Sequence, residues 1–267
     1  MPEIRMGGAK ISYGAMGKGE AVLLVHGWIG SGALWGMVAP WLSERFHVIA
    51  PDLPGHGDSG IPDGFRFTLE GFTAFLADLL RELGLERVSL VGHSMGGSIC
   101  VHFAATHPDM VERLVLIDTP GKGSALGWPA RVPLVHHLAG LLHIFWGPRI
   151  TARLIKSSVL YPDDLPPTFL EEAVEQGSKV KKQALVETTH MLAQLDLDPL
   201  LPGIMAPTLI IYGDRDPSVR PAEAGRLRGL IPDAQLQMVP GCGHCPNYEY
   251  PDLVVGFIEA FMLGGIS

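Results

Sequence analysis

Short, nearly continuous apolar runs recur along the chain at residues 21–25, 47–50, 88–91, 114–117 and 208–212. They lack the strict alternation of a half-exposed strand, so they read as strands buried on both faces, as in a parallel sheet. Residues 234–239 do alternate and read as an edge strand. Between the runs the period changes. Leu69, Phe72, Phe75, Leu76, Leu79, Leu80 and Leu83 share one helical face, and Gly84 follows as a stop. Residues 98–107 and 253–262 carry two further helical patterns, and 4–16 reads as an antiparallel hairpin at the sheet edge. Strands alternating with helices predict an α/β fold, a mostly parallel sheet with helices on both faces.

The alternation stops between about Pro120 and Met205, a stretch with helix-like patterns, many prolines and no clear strand. It is too long for an ordinary loop. It predicts an inserted helical cap (residues 120–205) on a core made of 1–119 and 206–267. A cap placed there covers the carboxyl ends of the strands, where open α/β sheets bind ligands.

Composition narrows the function. The chain has 267 residues, 47% hydrophobic and 18% charged, with a net charge of -8. That is enough for one large core, and an acidic balance argues against a nucleic-acid partner. The first residues carry Glu3, Arg5 and Lys10 and no apolar signal core. Residues 132–148 are apolar but short, and hold His136, His137, His143 and two prolines, so stable membrane insertion is not expected. Cys100, Cys242 and Cys245 cannot make a disulfide framework, which fits a cytoplasmic protein. Oligomeric state is not legible.

Five motifs carry the chemistry. They are His26-Gly27-Trp28, the 52–59 stretch DLPGHGDS, Gly92-His-Ser-Met-Gly96, Gly213-Asp-Arg-Asp216 and Gly243-His244. The order Ser, Asp, His is that of the nucleophile-elbow hydrolases. Ser94 is the candidate nucleophile, on a turn so sharp that flanking side chains would clash. His244 is the candidate general base, because an imidazole titrates near neutrality and this one lies in a Gly-rich loop after the acid. Asp216 is the first candidate for the orienting acid, with Asp214 and Asp118 as competitors. The Trp28 and Met95 amides are the candidate oxyanion hole. Trp28, Trp128, Phe145, Trp146 and Met191 are candidates for the pocket lining, with Leu138 and Leu142. The three cap histidines read as packing or lining, or as a peripheral lipid contact. The 52–57 turn reads as structural. Cys242-Gly-His-Cys245 invites a zinc or redox reading, but two thiols around an occupied His fall short of a closed site, so no metal or cofactor is expected.

Together these motifs resemble the α/β-hydrolase superfamily, in particular its small, capped, cofactor-free serine hydrolases. The resemblance covers the whole chain except the cap. It implies an eight-stranded, mostly parallel sheet with a helical lid after the sixth strand. A nucleophilic Ser94 departs from the dehalogenase and epoxide-hydrolase branches, which attack with a carboxylate. Trp28 after His26-Gly27, with Ser94-Met-Gly-Gly97, looks like the arylesterases and cofactor-free perhydrolases, although the 52–57 turn lacks the arginines of that branch. The carbon–carbon bond hydrolases of meta-cleavage products share the Ser-Met-Gly-Gly run and the lid. They carry small residues where Trp28 and Ile29 stand, and often Asn in place of His93. The resemblance therefore implies first a carboxylesterase acting on a small-molecule ester with a fairly apolar group. A ligand receptor without turnover is the reading from another class.

Overall fold

The computed structural model describes residues 2–127 and 146–264. The apolar runs form the strands their pattern predicts. In chain order these are β1 (Glu3–Met6), β2 (Ala9–Met16), β3 (Ala21–Val25), β4 (His47–Pro51), β5 (Val88–His93), β6 (Val111–Ile117), β7 (Thr208–Gly213) and β8 (Ala234–Val239). They make one sheet in the order β1-β2-β4-β3-β5-β6-β7-β8. β1 and β2 form the antiparallel edge hairpin, β2 runs antiparallel to β4, and every other pairing is parallel.

Burial on both faces explains the missing alternation. Leu23, Val25, Leu90, Leu114, Leu116, Ile210 and Tyr212 point into one core. Their neighbours Val22, Leu24, Val91, Val115, Ile117, Leu209 and Ile211 point into the other. Among the parallel strands, β8 at the far edge stays largely half-exposed, and it is the one that alternates.

Helices seal both cores. α1 (Ala39–Leu42) follows β3, and α2 (Leu69–Glu82) buries Phe72, Phe75, Leu76, Leu79 and Leu80. Thr68 Oγ1 caps its start by accepting the Gly71 N–H at 3.2 Å. Gly84, at φ +69°, closes its end, with Gly84 N–H donating to Arg81 O and Leu85 N–H to Leu80 O. α3 (Met95–Thr106) begins three residues before the helical pattern does. It is buried from Met95 to Ala104, so no polar face marks its first turn. Its second residue, Gly96, presses on β3, and a Cβ there would collide with the carbonyl oxygens of Val25 and His26.

Between β6 and β7 the described residues form α4 (Pro148–Ser158), α5 (Pro167–Ser178) and α6 (Lys182–Ala193), with no strand. The two ends of this excursion are tied together. Gly123 N–H donates to Leu195 O and Leu197 N–H to Gly121 O, each at 2.8 Å. Lys122 Nζ lies 2.5 Å from an Asp198 carboxylate oxygen, and Arg226 pairs with both Asp198 and Glu223. Glu223 also accepts the Gly121 N–H at 2.8 Å. α7 (Ala222–Leu230) carries Glu223 and Arg226. α8 (Pro246–Glu249) and α9 (Pro251–Met262) close the chain.

Two glycines have opposite expected responses to one added methyl. Gly225 in α7 has nothing within 4 Å of a new Cβ. Gly225→Ala should therefore stabilise the protein by about 0.5–1 kcal/mol through helix propensity. Gly96→Ala forces β3 away from α3 and should lower the melting temperature by several degrees or prevent folding. Thermal melts of the two variants check both signs.

Candidate active site

Ser94 is the junction between β5 and α3, at φ 52° and ψ -119°. This is a sparsely populated backbone region for a residue with a side chain, at a cost of order 1–3 kcal/mol. The surroundings hold it there. Ser94 N–H donates to Ile117 O at 2.8 Å. A Cβ at Gly92 would lie 2.6 Å from the Gly97 backbone, so the turn closes only with glycine at that position.

His244 sits in the loop between β8 and α8. Its Nδ1 lies 2.7 Å from Asp216 Oδ2 and its Nε2 lies 3.0 Å from Ser94 Oγ. A carboxylate at Nδ1 draws the ring proton there, which leaves the Nε2 lone pair to accept from the Ser94 hydroxyl. The Asp216 side chain is wholly buried. Its Oδ1 accepts the Ser218 and Val219 N–H groups at 2.6 and 2.9 Å, which turns Oδ2 toward the imidazole.

The competing acids are engaged by other partners. Asp214 accepts the Gly241 N–H at 2.7 Å and is exposed. Asp118 is fully buried, at φ +43°, and its Oδ1 accepts the Gly213 N–H at 2.9 Å. No donor among the described residues reaches its Oδ2. Burial first, and the nearby Asp216 second, push its carboxyl well above the ordinary range, which favours the neutral acid.

Three histidines line the foundations of the site. His93 Nε2–H donates to the His244 carbonyl at 2.8 Å. Burial, with His244 beside it, brings the His93 pKa down to about 3. His26 Nε2 accepts the Leu53 N–H at 3.0 Å, so its Nδ1–H donates to Gly27 O at 2.8 Å. Burial also holds His26 well below its usual value. His56 Nδ1–H donates to Pro54 O at 3.0 Å, and burial moves its pKa to about 4. All three are neutral at pH 7.

The 26–29 loop passes over the nucleophile. A Cβ at Gly27 would stand 3.2 Å from Ser94 Cβ, and Ile29 turns the chain at φ +55°. Met95 is the first residue of α3, so its N–H has no acceptor within the helix. The Trp28 ring meets Trp146 edge-on at 6.4 Å, and Trp146 Nε1–H donates to Gly177 O at 3.3 Å. Trp28, Trp146 and Met191 pack against the same core cluster. Trp128, Leu138, Leu142, Phe145 and the cap histidines His136, His137 and His143 lie outside the described residues.

The 52–59 turn joins these parts. Asp52 accepts the Gly32 and Asp58 N–H groups at 2.7 and 2.8 Å. Lys179, just past α5, reaches Asp58 at 3.0 Å, and Lys181 N–H donates to Gly55 O at 2.8 Å.

His93, Asp118 and His244 bring possible metal-ligand atoms within 4.8 Å of one another. Both ring nitrogens of His244 are hydrogen-bonded, as is Nε2 of His93, so a cation there would have to displace those contacts. The two thiols turn away from His244. Cys242 Sγ lies 3.6 Å from Glu249 Oε1 and Cys245 Sγ 3.6 Å from Ser158 Oγ, and burial pushes both pKa values up. Neither thiol has the low pKa of a reactive cysteine.

Two residues here have roles that a motif reading does not show. His93 stands inside the Gly92–Gly96 motif, but its bond to the His244 carbonyl is not visible there. Glu249 shows only as an acid five residues after His244, yet it accepts the Gly243 and Cys245 N–H groups at 3.0 and 3.4 Å.

Residues 22–257 match the model of the alpha/beta hydrolase family. The chain belongs to that family. It is 34% identical to the 2-hydroxy-6-oxo-2,4-heptadienoate hydrolase of Pseudomonas putida, over 96% of this chain and 94% of that protein. It is 30% identical to Lipase 1 of Psychrobacter immobilis, over 95% of this chain and 81% of that protein. A solved structure of a thermophilic esterase from Thermogutta terrifontis, with malate bound, superposes at a TM-score of 0.87 with 26% identity and full coverage of both chains. This hydrolase thus has esterases, lipases and meta-cleavage product hydrolases among its relatives. No helix among the described residues is long and apolar enough to cross a membrane.

The buried histidines set a pH dependence of stability. Their folded pKa values lie below the unfolded 6.5, so the unfolded chain binds more protons. The stability they contribute is complete above about pH 6.5 and is lost as pH falls toward 4 and 3. Asp118, whose raised carboxyl pKa acts with the opposite sign, offsets part of this, so the histidine contribution is read by comparing urea midpoints of wild type and variant at pH 7.5 and 5.5. His93→Gln, which keeps a donor without a titrating group, should lose a smaller share of its stability between the two pH values, since only His26 and His56 remain.

Proposed function

We propose that this hydrolase cleaves small-molecule carboxylic esters carrying a fairly apolar group, through an acyl-enzyme on Ser94. The carrying observation is the unbroken chain from Ser94 Oγ through His244 to Asp216, at 3.0 and 2.7 Å. His244 Nε2 takes the hydroxyl proton while Oγ attacks the ester carbonyl. The Trp28 and Met95 amides stabilise the oxyanion. Collapse of the tetrahedral intermediate breaks the carbonyl–alkoxy bond, and His244 returns the proton to the leaving alcohol. Water, deprotonated by the same imidazole, then attacks the acyl-enzyme and releases the acid. Asp216 keeps the imidazole oriented and stabilises its cation.

Residues 120–205 act as the cap in this reading. Contacts from the excursion to the His244 loop, to Trp28 and to Asp58 support that placement. Trp28, Trp146 and Met191 then line an apolar pocket of the usual kind. The runner-up is carbon–carbon bond hydrolysis, favoured by the 34% identity to the heptadienoate hydrolase. A dienoate carboxylate needs a cation, and Arg149 and Arg153 on α4 are the candidates; both are exposed.

Ser94→Ala should lose at least about 10⁴-fold in turnover with the fold retained, since the strained turn accepts a smaller side chain. Asp216→Asn should lose about 10⁴-fold through the wrong imidazole tautomer. Asp118→Asn should cost far less, because an amide oxygen still accepts the Gly213 N–H. A severe Asp118→Asn defect moves the acid to β6.

The substrate class is read from acetyl, butyryl and octanoyl p-nitrophenyl esters beside a vinylogous diketone acid. Each methylene buried adds about 0.8 kcal/mol, or about fourfold in kcat/KM, until the pocket is full. Faster turnover of the diketone acid than of every ester, lost on changing Arg149 or Arg153, installs the runner-up. Tight binding without turnover installs a receptor.

A further inference from the structure

Glu249 closes α8 and faces the loop that carries His244. Its Oε1 accepts the Gly243 and Cys245 N–H groups, one on each side of His244. Its Oε2 accepts the Leu160 N–H at 2.8 Å. Leu160 lies just past α4, in the excursion between β6 and β7. A second bond runs the same way, from His244 N–H to Ser158 O at 2.7 Å. Residues 158–160 thus form a strap laid along the His244 loop, with one carboxylate fastening the two.

Packing shows that this is a fitted contact. A Cβ at Gly243 would stand 2.7 Å from Ser158 O, 2.9 Å from Glu249 Oε1 and 3.1 Å from Leu160 N, so the strap closes on the loop only over glycine. Val159, between the two hydrogen-bonding residues, is buried with Leu165, Phe169, Cys245 and Tyr248. Its backbone is extended, at φ -107° and ψ 153°, which points the strap along the loop.

We propose that Glu249 is a positioning residue that couples the 158–160 strap to His244, so that the imidazole's place over Ser94 depends on where the strap sits. This rests on the ester-hydrolase reading for its kinetic readout. The carboxylate matters because each of its oxygens serves a different partner. Gln presents one acceptor oxygen and one NH₂, so it can hold the loop or the strap but not both. The amide left behind then loses its acceptor. Movement of the excursion transmits to the base through this contact, while the Ser94 turn, built on the sheet, stays in place.

The test uses the full chain with Glu249→Gln, Leu160→Pro and the double variant. Proline at 160 deletes the N–H that Glu249 accepts, and the extended Val159 before it already has the backbone that precedes proline. Leu160→Ala keeps the N–H. Kinetics on p-nitrophenyl butyrate are read beside amide hydrogen exchange in peptides covering 157–161 and 242–248. The expected result is a kcat loss of about tenfold or more in each single variant, with KM within about twofold. Exchange should rise in both peptides, and the double variant should lose less than the product of the singles. Leu160→Ala should cost less than Leu160→Pro. Unchanged kcat, a KM-only effect, exchange rising in one peptide alone, or multiplicative losses overturn the coupling. If Glu249→Gln does not fold, Leu160→Pro alone decides by the same readouts. If the wild type turns over no ester, the ester-hydrolase reading fails, and the paired exchange response still decides the coupling.

Discussion

The molecule is organised around one strained turn. Ser94 is forced to positive φ because β5 must end and α3 must begin within a single residue. That demand propagates outward. Gly92 and Gly96 leave room where β3, β5 and α3 crowd together, and Gly27 lets the following loop approach His93 and Ser94 closely. A cost of order 1–3 kcal/mol at one residue persists because two buried faces of sheet hold the neighbouring strands rigid. The backbone that carries the hydroxyl is therefore set by the junction of β5 and α3.

Asp216 and His244 are placed differently. Both stand on loops, and loops need anchors. Asp216 is fixed by two backbone N–H groups on its own loop, a local device. His244 is fixed by distant partners: the His93 ring holds its carbonyl, and Ser158 holds its N–H. The polar residues beneath the site are kept uncharged by burial. His26 and His93 are neutral, and Asp118 is driven toward its protonated form. A second formal charge near the imidazole would compete with Asp216 for control of its protonation. The buried neutral groups supply hydrogen bonds without that competition.

Much of this was legible in the residues, and the parts that were not share a cause. The strands show because a sheet buried on both faces needs unbroken apolar runs, as at Leu23–Leu24 and Ile210–Ile211. Ser94, Asp216 and His244 stand out because glycines mark the sharp turns that carry them, and the chain order is distinctive. The start of α3 was hidden because a fully buried helix has no polar face to set its period. Glu249 and His93 were hidden because they act on backbone atoms. A side chain that binds an N–H or a carbonyl leaves no partner residue type to look for, and the spacing between Leu160 and Glu249 exists only in the fold. The choice among Asp118, Asp214 and Asp216 also needed coordinates, since all three follow strand ends and only direction separates them.

The division of labour between sheet and excursion explains why one set of residues is compatible with both ester and carbon–carbon bond cleavage. In both proposed reactions a serine hydroxyl attacks a carbonyl with two amides for the oxyanion; carbon–carbon cleavage additionally requires a proton delivered to the departing carbon. The elements that can reach the leaving group are the Trp28 loop and the helices between β6 and β7, with Trp146 packed on Trp28 and Lys179 holding Asp58. In the proposed function, substrate choice is assigned to the excursion, whose stem is pinned by Lys122, Asp198, Arg226 and Glu223 while its far side leans on the His244 loop. A pinned stem and a contact on the base mean that changing the excursion to admit a new leaving group also changes the seat of His244. Under the proposed function, specificity and rate would be linked by the shared hydrogen bonds of one short strap.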